Sequence, residues 1–348
     1  MLLLIKGADL FVDEAARIAR LLGISGFIIG LTLVSIGTSL PELATSILAS
    51  FYNQTTIVVG NIIGSNIANI GLVLGIAAVM TTILLKKDEY LKDSLFLMGI
   101  FILFFILALD GTISSAEGTV FLLIFLVYMY KLIKRKPVRG EEILKKFLKE
   151  YLHPVQGKLN LKNYEQAINQ GINYRVYGYL LKNGVCFKGD FKKRLLRDVY
   201  KKLFYCAIGL VAIFFGAKYL VTSAVDIALF FSIPKEVIGL TAIAIGTSLP
   251  ELFVTFTSAH KGMSSILIGN LIGSGITNIL LVGGISSLIM PLTLTTVDLF
   301  FYLPVMLFMG LAFIQFVRSK WISKVFQGIL LLLFYLIFLF FTVILQIV

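Results

Sequence analysis

Residues 7–76 of this chain align without a gap on residues 216–285, with roughly 30 identities in about 70 positions. Agreement is densest in two stretches. The first, Gly37-Thr38-Ser39-Leu40-Pro41-Glu42, returns as Gly246-Thr247-Ser248-Leu249-Pro250-Glu251. The second, Gly60-Asn61-Ile62-Ile63-Gly64-Ser65-Asn66-Ile67-Ala68-Asn69, returns as Gly269-Asn270-Leu271-Ile272-Gly273-Ser274-Gly275-Ile276-Thr277-Asn278. Both pairs lie 209 residues apart, so the chain consists of two copies of one unit held in a common register. Each copy sets a proline, a carboxylate and several hydroxyls inside otherwise apolar sequence.

That apolar sequence decides the solvent. Hydrophobic residues make up 58% of the chain and charged residues only 14%, with a mean hydropathy of +0.94, whereas a soluble domain is about a quarter charged. A membrane span needs about 20 mostly apolar residues. Candidate spans in the first half are residues 1–22, 24–50, 56–85, 95–109 and 116–133. Those in the second half are residues 203–231, 237–259, 266–289, 299–316 and 325 to the C-terminus. The reading is an all-α membrane protein of ten transmembrane helices in two five-helix repeats, with helices broken at the duplicated stretches. An odd number of helices per copy inserts the second copy upside down, the build of alternating-access transporters. The first repeat is residues 1–134, the second residues 203–348, and residues 135–202 form a small cytosolic insert. No signal-peptide core or cleavage site opens the chain. Gly7 has only six residues before it, whereas its partner Gly216 follows the apolar run 203–215. Helix one therefore reads as about two turns short of its twin, either because it is short or because the recorded start is truncated.

The net charge of +12 is concentrated. Residues 131–202 hold 19 Lys/Arg against 6 Asp/Glu, a net of +13. This segment reads as a loop beside anionic lipid headgroups, not as a nucleic-acid surface, since nothing else supports one. Within it, residues 139–152 read as a charged helix, residues 174–187 as a hairpin turning at Asn183-Gly184, and residues 191–200 as a second basic helix. A spacer or assembly surface fits it better than a ligand sensor, because it holds no acid cluster. Lys86, Lys87, Lys92, Arg17, Arg20, Arg318, Lys320 and Lys324 fall on the side of this loop only if the N-terminus is outside. The expectation is a multi-pass cell-membrane protein with a cytoplasmic central loop. Cys186 and Cys206 make neither a disulfide framework nor a metal spacing.

The duplicated stretches are rich in oxygen. Proline removes a backbone donor, so carbonyls near residues 35–38 and 244–247 lose helical partners. Free carbonyls at membrane depth are tolerated where they line a cavity or bind a cation. Thr38, Ser39, Thr247 and Ser248 add hydroxyls, and Glu42 and Glu251 add carboxylates. The second stretch adds Ser65, Asn69, Ser274 and Asn278; Ser65 and Asn69 share one helical face, and the glycines permit close helix approach. No thiol or imidazole is present, and an oxygen-only set suits calcium, magnesium or sodium. Taken singly, a Pro-Glu pair can be a kink with a snorkelling acid, and Ser or Thr can bond its own helix. The whole set duplicated in register argues against that. Asp110, Glu117 and Asp298 sit at helix ends and read as interfacial; Asp13, Glu14, Arg17 and Arg20 read as surface pairs. Asp226 could pair with Lys218 or face solvent. His260 and Lys261 read as positive-inside anchors.

At these motifs the chain resembles the sodium/calcium exchanger branch of the cation/calcium exchanger superfamily, with its two inverted alpha repeats. The resemblance covers both transmembrane halves and not the central loop. It implies a calcium site between Glu42 and Glu251, completed by the carbonyls of Thr38 and Thr247. It implies sodium sites at Ser39, Ser65 and the Ser35 carbonyl, mirrored by Ser248, Ser274 and the Ala244 carbonyl, and shared with Glu42 and Glu251. Asn69 and Asn278 would line the middle. The family's bacterial and archaeal members usually carry an aspartate at the position of Asn278, so this chain has one acid fewer, which bears on stoichiometry and cation selectivity.

The function this implies is antiport of sodium against calcium by alternating access, with helices one and six sliding over a fixed site and no cofactor beyond the transported ions. A proton- or potassium-coupled exchanger of calcium or another divalent cation is the alternative. An enzyme is disfavoured, since two glutamates without a nucleophile, histidine or metal cluster make no catalytic set. A channel would differ in lacking strict counter-ion dependence. Nothing in the sequence assigns an oligomeric state.

Overall fold

The computed structural model describes residues 2–80, 83, 87–135, 191–230, 246–318 and 324–347. It is helical nearly throughout. In chain order the helices are α1 (Leu2–Leu22), α2 (Gly26–Thr38), α3 (Leu40–Phe51), α4 (Thr55–Met80), α5 (Lys87–Leu107) and α6 (Ser115–Lys134). After the insert come α7 (Phe191–Phe230), α8 (Leu249–His260), α9 (Ser264–Ile289), α10 (Asp298–Arg318) and α11 (Lys324–Ile347). A two-residue ribbon joins β1 (Thr112–Ile113) to β2 (Leu292–Thr293), with Thr112 opposite Thr293. Seven of the described helices are long and apolar enough to cross a membrane, or eight if α2 and α3 form one bent span. Helix α1 is outside that set, because six of its 21 residues are charged.

The expected break in the second helix is present and has its expected cause. Helices α2 and α3 meet at 43°. The joint is Ser39, and Pro41 stands in the first turn of α3, where its missing N–H costs nothing. The freed carbonyl lies within the expected range, residues 35–38, but is not that of Ser35. Ser35 O still accepts the Ser39 N–H at 3.0 Å. Proline strips only the carbonyl four residues before it, which is that of Gly37.

The third helix and its twin differ from expectation. Neither breaks at the Gly-Asn or Gly-Ser pairs, since glycine removes no backbone donor. Instead both widen into a π segment one turn later, at Asn69–Leu74 and Asn278–Gly283. The shift starts at the same repeat position in both copies, and such wide turns are frequent at functional sites.

Residues 139–152 and 174–187, expected to form a helix and a hairpin, lie outside the described residues. The basic helix expected at 191–200 is not separate: α7 runs unbroken through residues 202 and 203 for 40 residues. No glycine or proline intervenes before Gly209 to stop it. α7 packs along α1, and the two cross backbone to backbone. A Cβ on Gly7 would lie 2.9 Å from Gly209 O, and one on Gly209 would lie 2.9 Å from Gly7 O. Leu4, Ala8, Phe11, Val12, Ala15 and Ile18 form the buried stripe of α1.

Charged pairs gather at one end of the bundle. The acids of α1 are not simple surface pairs. Glu14 is buried and bonds Arg17 at 2.8 Å and Lys202 of α7 at 3.2 Å. Lys261, expected as a lone interfacial anchor, ties α1 to the α8–α9 turn through Asp13 (2.8 Å) and Asp9 (3.1 Å). Tyr90 of α5 packs at a tilt against Phe27 near the start of α2. One turn on from Tyr90, buried Asp93 takes both arms of Arg135 at 2.6 and 3.0 Å and the Tyr128 hydroxyl at 3.1 Å. The opposite end holds the β ribbon and a bond between the Thr55 and Thr293 hydroxyls at 2.6 Å. Two of the acids read as interfacial cap helices, Glu117 closing a capping box with Ser114 and Asp298 accepting from Thr295, while Asp110 holds the turn into β1 by accepting from Thr112 N. The side chain of Asp226 lies outside the described residues.

Candidate functional site

The bend at Ser39 brings the first turn of α3 into the protein interior, and Ser248 N-caps the equivalent first turn of α8 there, where helix N-termini favour negative charge. Those turns carry Glu42 and Glu251, each at most 1% exposed. The two carboxylates come from opposite repeats and are near enough to act on each other electrostatically. The Ser39 hydroxyl of the first repeat donates to Glu251 Oε1 at 3.2 Å. Thr38 and Ser274 also face the Glu251 carboxylate, and Thr247 faces that of Glu42.

Helices α2, α4 and α9 hold these turns. Gly30 of α2 and Gly269 of α9 let two backbones touch: a Cβ on Gly30 would lie 2.6 Å from Ile266 O, and one on Gly269 would lie 2.5 Å from Phe27 O. This crossing brings Thr38 to α9, where its hydroxyl is 3.2 Å from Asn270 Oδ1 and 3.4 Å from Ser274 Oγ. On the other side Thr247 donates to Asn61 Oδ1 at 3.3 Å. Asn61 also anchors α3, donating from Nδ2 to Glu42 O at 3.1 Å and to Ser46 Oγ at 2.9 Å. Its equivalent Asn270 donates to Thr255 Oγ1 at 3.5 Å.

Of the residues expected from sequence, Thr38, Ser39, Ser65, Thr247, Ser274, Glu42 and Glu251 form one connected set through these contacts. Ser65 joins through Asn61 Oδ1, at 3.5 Å. Ser35 turns its hydroxyl back onto the carbonyls of Leu31 and Thr32, leaving only its carbonyl for the site. Ser248 is buried at the N-cap of α8. Ala244 lies outside the described residues. Asn69 and Asn278 are buried at the mouths of the two π segments, and neither side-chain amide has a hydrogen-bond partner among the described residues. The same holds for both carboxylate oxygens of Glu42 and for Glu251 Oε2. A buried polar atom without a partner costs about 1–3 kcal/mol, more if charged, so a cluster of them marks a place built for something other than folding.

Sequence reasoning missed Asn61 and Asn270, and with them Ser46 and Thr255. The signal was present: Asn61 stands four residues before Ser65, on the same helical face and inside the duplicated stretch. The assembled donors are carboxylate, hydroxyl, carbonyl and amide oxygens. Among the described residues no group of three or more His, Cys, Asp or Glu forms a transition-metal cluster. Such a set can hold a hard cation.

The family model described as sodium/calcium exchanger protein matches residues 1–134 and 201–344, leaving out the insert. The chain is 38% identical over 348 residues to the sodium/calcium exchanger MaX1 of Methanosarcina acetivorans, covering 97% of this chain and 95% of that protein. It is 33% identical to the inner membrane protein YrbG of Escherichia coli, covering 84% and 78%. The solved sodium–calcium exchanger NCX_Mj, soaked with 10 mM Na+ and zero Ca2+, matches with a TM-score of 0.72 at 32% identity, over 97% of this chain and 94% of that one. The chain belongs to the sodium/calcium exchanger family: it is a multi-helix membrane protein of a cation-exchanging kind, and its relatives are transporters.

Proposed function

We propose that this protein exchanges sodium for calcium across a cell membrane, with both ions competing for the Glu42–Glu251 site. The observation that carries the reading is the pair itself. Two carboxylates from repeat-equivalent positions are wholly buried, and three of their four oxygens lack a hydrogen-bond partner among the described residues. Two negative charges match one calcium ion. Thr38 and Thr247 carbonyls complete the calcium site. Sodium takes Ser39, Ser65 and the Ser35 carbonyl on one side, Ser248, Ser274 and the Ala244 carbonyl on the other, with a share of both glutamates. Asn69 and Asn278 line the centre. If sodium fills the flanking sites it withdraws the carboxylates from calcium, and the exchange is coupled by competition.

The same proposal includes ten spans in two inverted repeats, residues 1–134 and 203–348, flanking a cytoplasmic insert, with the N-terminus outside. The distribution of charge supports it: Lys202, Lys261, Arg135 and Arg17 share one end, as the positive-inside rule requires of a cytoplasmic face. Alternating access needs two states with different ion affinity, and α1 with α7, packed as a pair across the site, is the element that shifts.

The test uses protein reconstituted in sodium-loaded vesicles, with radioactive calcium uptake followed on dilution into sodium-free medium. Uptake in wild type that is lost in Glu42→Gln and in Glu251→Gln supports the reading. Uptake that ignores sodium and follows a pH or potassium gradient moves the protein to a differently coupled exchanger, and uptake retained in both variants refutes the site.

A further inference from the structure

Hydroxyl groups bind a cation only through lone pairs, so each one at the site needs somewhere to send its proton. Asn61 answers that for the first repeat. Its side-chain orientation is forced, because one amide atom lies 3.1 Å from the backbone carbonyl of Glu42. A carbonyl only accepts, so that atom is the nitrogen. The other atom, Oδ1, then faces two hydroxyls, Thr247 Oγ1 at 3.3 Å and Ser65 Oγ at 3.5 Å. An amide oxygen only accepts, so both hydroxyls donate to it. Each has a single proton, and in these contacts that proton goes to the asparagine oxygen. Asn270 repeats the arrangement. Its nitrogen is 3.5 Å from Thr255 Oγ1, the equivalent of Ser46, and its oxygen is 3.2 Å from Thr38 Oγ1. Two further atoms are within reach of Thr38 Oγ1: Ser35 O at 3.3 Å, which only accepts, and Ser274 Oγ at 3.4 Å, which can give or take a proton. With the Thr38 proton on Asn270 Oδ1 or Ser35 O, the lone pairs of Thr38 Oγ1 stay open.

Each asparagine is buried, 5% exposed for Asn61 and 0% for Asn270. Each works across the repeat boundary: the nitrogen holds the helix carrying its own repeat's glutamate, while the oxygen takes a threonine proton from the other repeat. We infer that Asn61 and Asn270 are positioning residues that draw the hydroxyl protons of Thr247 and Ser65, and of Thr38, out of the site. Those oxygens are thereby left as acceptors only, the form that receives a cation. The inference rests on the exchanger reading and adds residues that touch no ion and act through those that do.

A double-mutant cycle tests it, because a residue acting through a hydroxyl loses its effect once that hydroxyl is gone. Calcium-induced thermal stabilisation of the purified full-length protein is titrated for wild type, Asn61→Leu, Thr247→Val and the double variant. Asn61→Leu is expected to weaken the calcium response about tenfold, the scale of one lost hydrogen bond in a buried site. The double variant should be little worse than the weaker single one. Effects that multiply, or an unchanged calcium response in Asn61→Leu, overturn the inference. The mirror cycle, Asn270→Leu with Thr38→Val, stands in if Asn61→Leu does not fold. Failure of both leucine variants to fold overturns the positioning role in favour of a purely structural one. Wild-type exchange is measured in vesicles in parallel. Cation stabilisation without sodium-dependent exchange refutes the proposed function alone, and normal exchange with a multiplicative cycle refutes this inference alone.

Discussion

The crossing of α2 and α9 is where a single methyl group should reach the ion site. In Gly30→Ala the new Cβ would lie 2.6 Å from Ile266 O and 2.9 Å from Gly269 Cα, where ordinary contact starts at 3.4 Å. Both obstacles are backbone, so no side chain can swing aside, and the helices must part by about 0.8 Å. Thr38 lies two turns further along α2. Its contacts to Asn270 at 3.2 Å and Ser274 at 3.4 Å span the same two helices. Added separation of that size takes both to about 4 Å, beyond hydrogen-bond range. Overpacking of this kind costs about 1–3 kcal/mol of stability, and misplacing a binding group by nearly an ångström costs of the order of tenfold or more in its contribution. The expected result is a calcium half-saturation raised about tenfold in vesicle uptake, together with a lowered unfolding temperature. Gly269→Ala meets Phe27 O at 2.5 Å and should behave alike. Gly99→Ala is the control. Its Cβ meets nothing within 4 Å, and in a helix interior the change is expected to be neutral or to stabilise by up to about 1 kcal/mol. Wild-type calcium dependence in Gly30→Ala would refute the claim that this crossing sets the site.

Three other expectations follow from contacts away from that crossing. Lys261→Gln removes the cation that ties α1 to the α8–α9 turn; with the ion pairs 23–43% exposed, stability should fall by less than about 1 kcal/mol, while the maximal exchange rate changes and the calcium half-saturation does not. Asp93→Asn leaves Arg135 without its carboxylate. Because that guanidinium is 37% exposed, the cost should be about 2 kcal/mol, below that of a fully buried pair, and chemical denaturation would read it with calcium dependence unchanged. Asn278→Asp adds a third carboxylate to the buried set, and the reversal potential of exchange should move as more cation charge is taken up per cycle; an unmoved potential would show that Asn278 does not face the ions.

Much of the fold was legible because its causes are local. Proline at 41 and 250 cannot continue a helix, and the bend between α2 and α3 stands beside the first of them. The apolar runs are long, and α4, α9 and α10 lie close to where hydropathy placed them. Errors arose where a rule was applied one step too far. Glycine pairs were read as helix breaks, although glycine keeps its N–H; the helices persist and widen only at Asn69 and Asn278. The proline's effect was spread over carbonyls 35–38, although only the group four residues earlier, that of Gly37, loses its donor. The basic segment 191–202 was read as part of a separate module on charge alone, yet without glycine or proline to stop it the helix runs straight into the membrane segment.

The site shows a different limit. Every residue type needed for a hard-cation site was visible in the two duplicated stretches, because repetition exposes what both copies share. The bonds that assemble the site are between the copies. Thr38 reaches Asn270, Ser39 reaches Glu251 and Thr247 reaches Asn61, and a list of identities carries no trace of which partner lies across the boundary. Asn61 and Asn270 were overlooked for that reason: within one repeat each looks like another polar residue in a glycine-rich helix, and only the second copy supplies the hydroxyl that gives it a role. It follows that neither repeat can complete its half of the site alone. A substitution in one copy must therefore be read out at ligands of the other, and the pair of glutamates should lose cation binding together when the contact between repeats is loosened from either side.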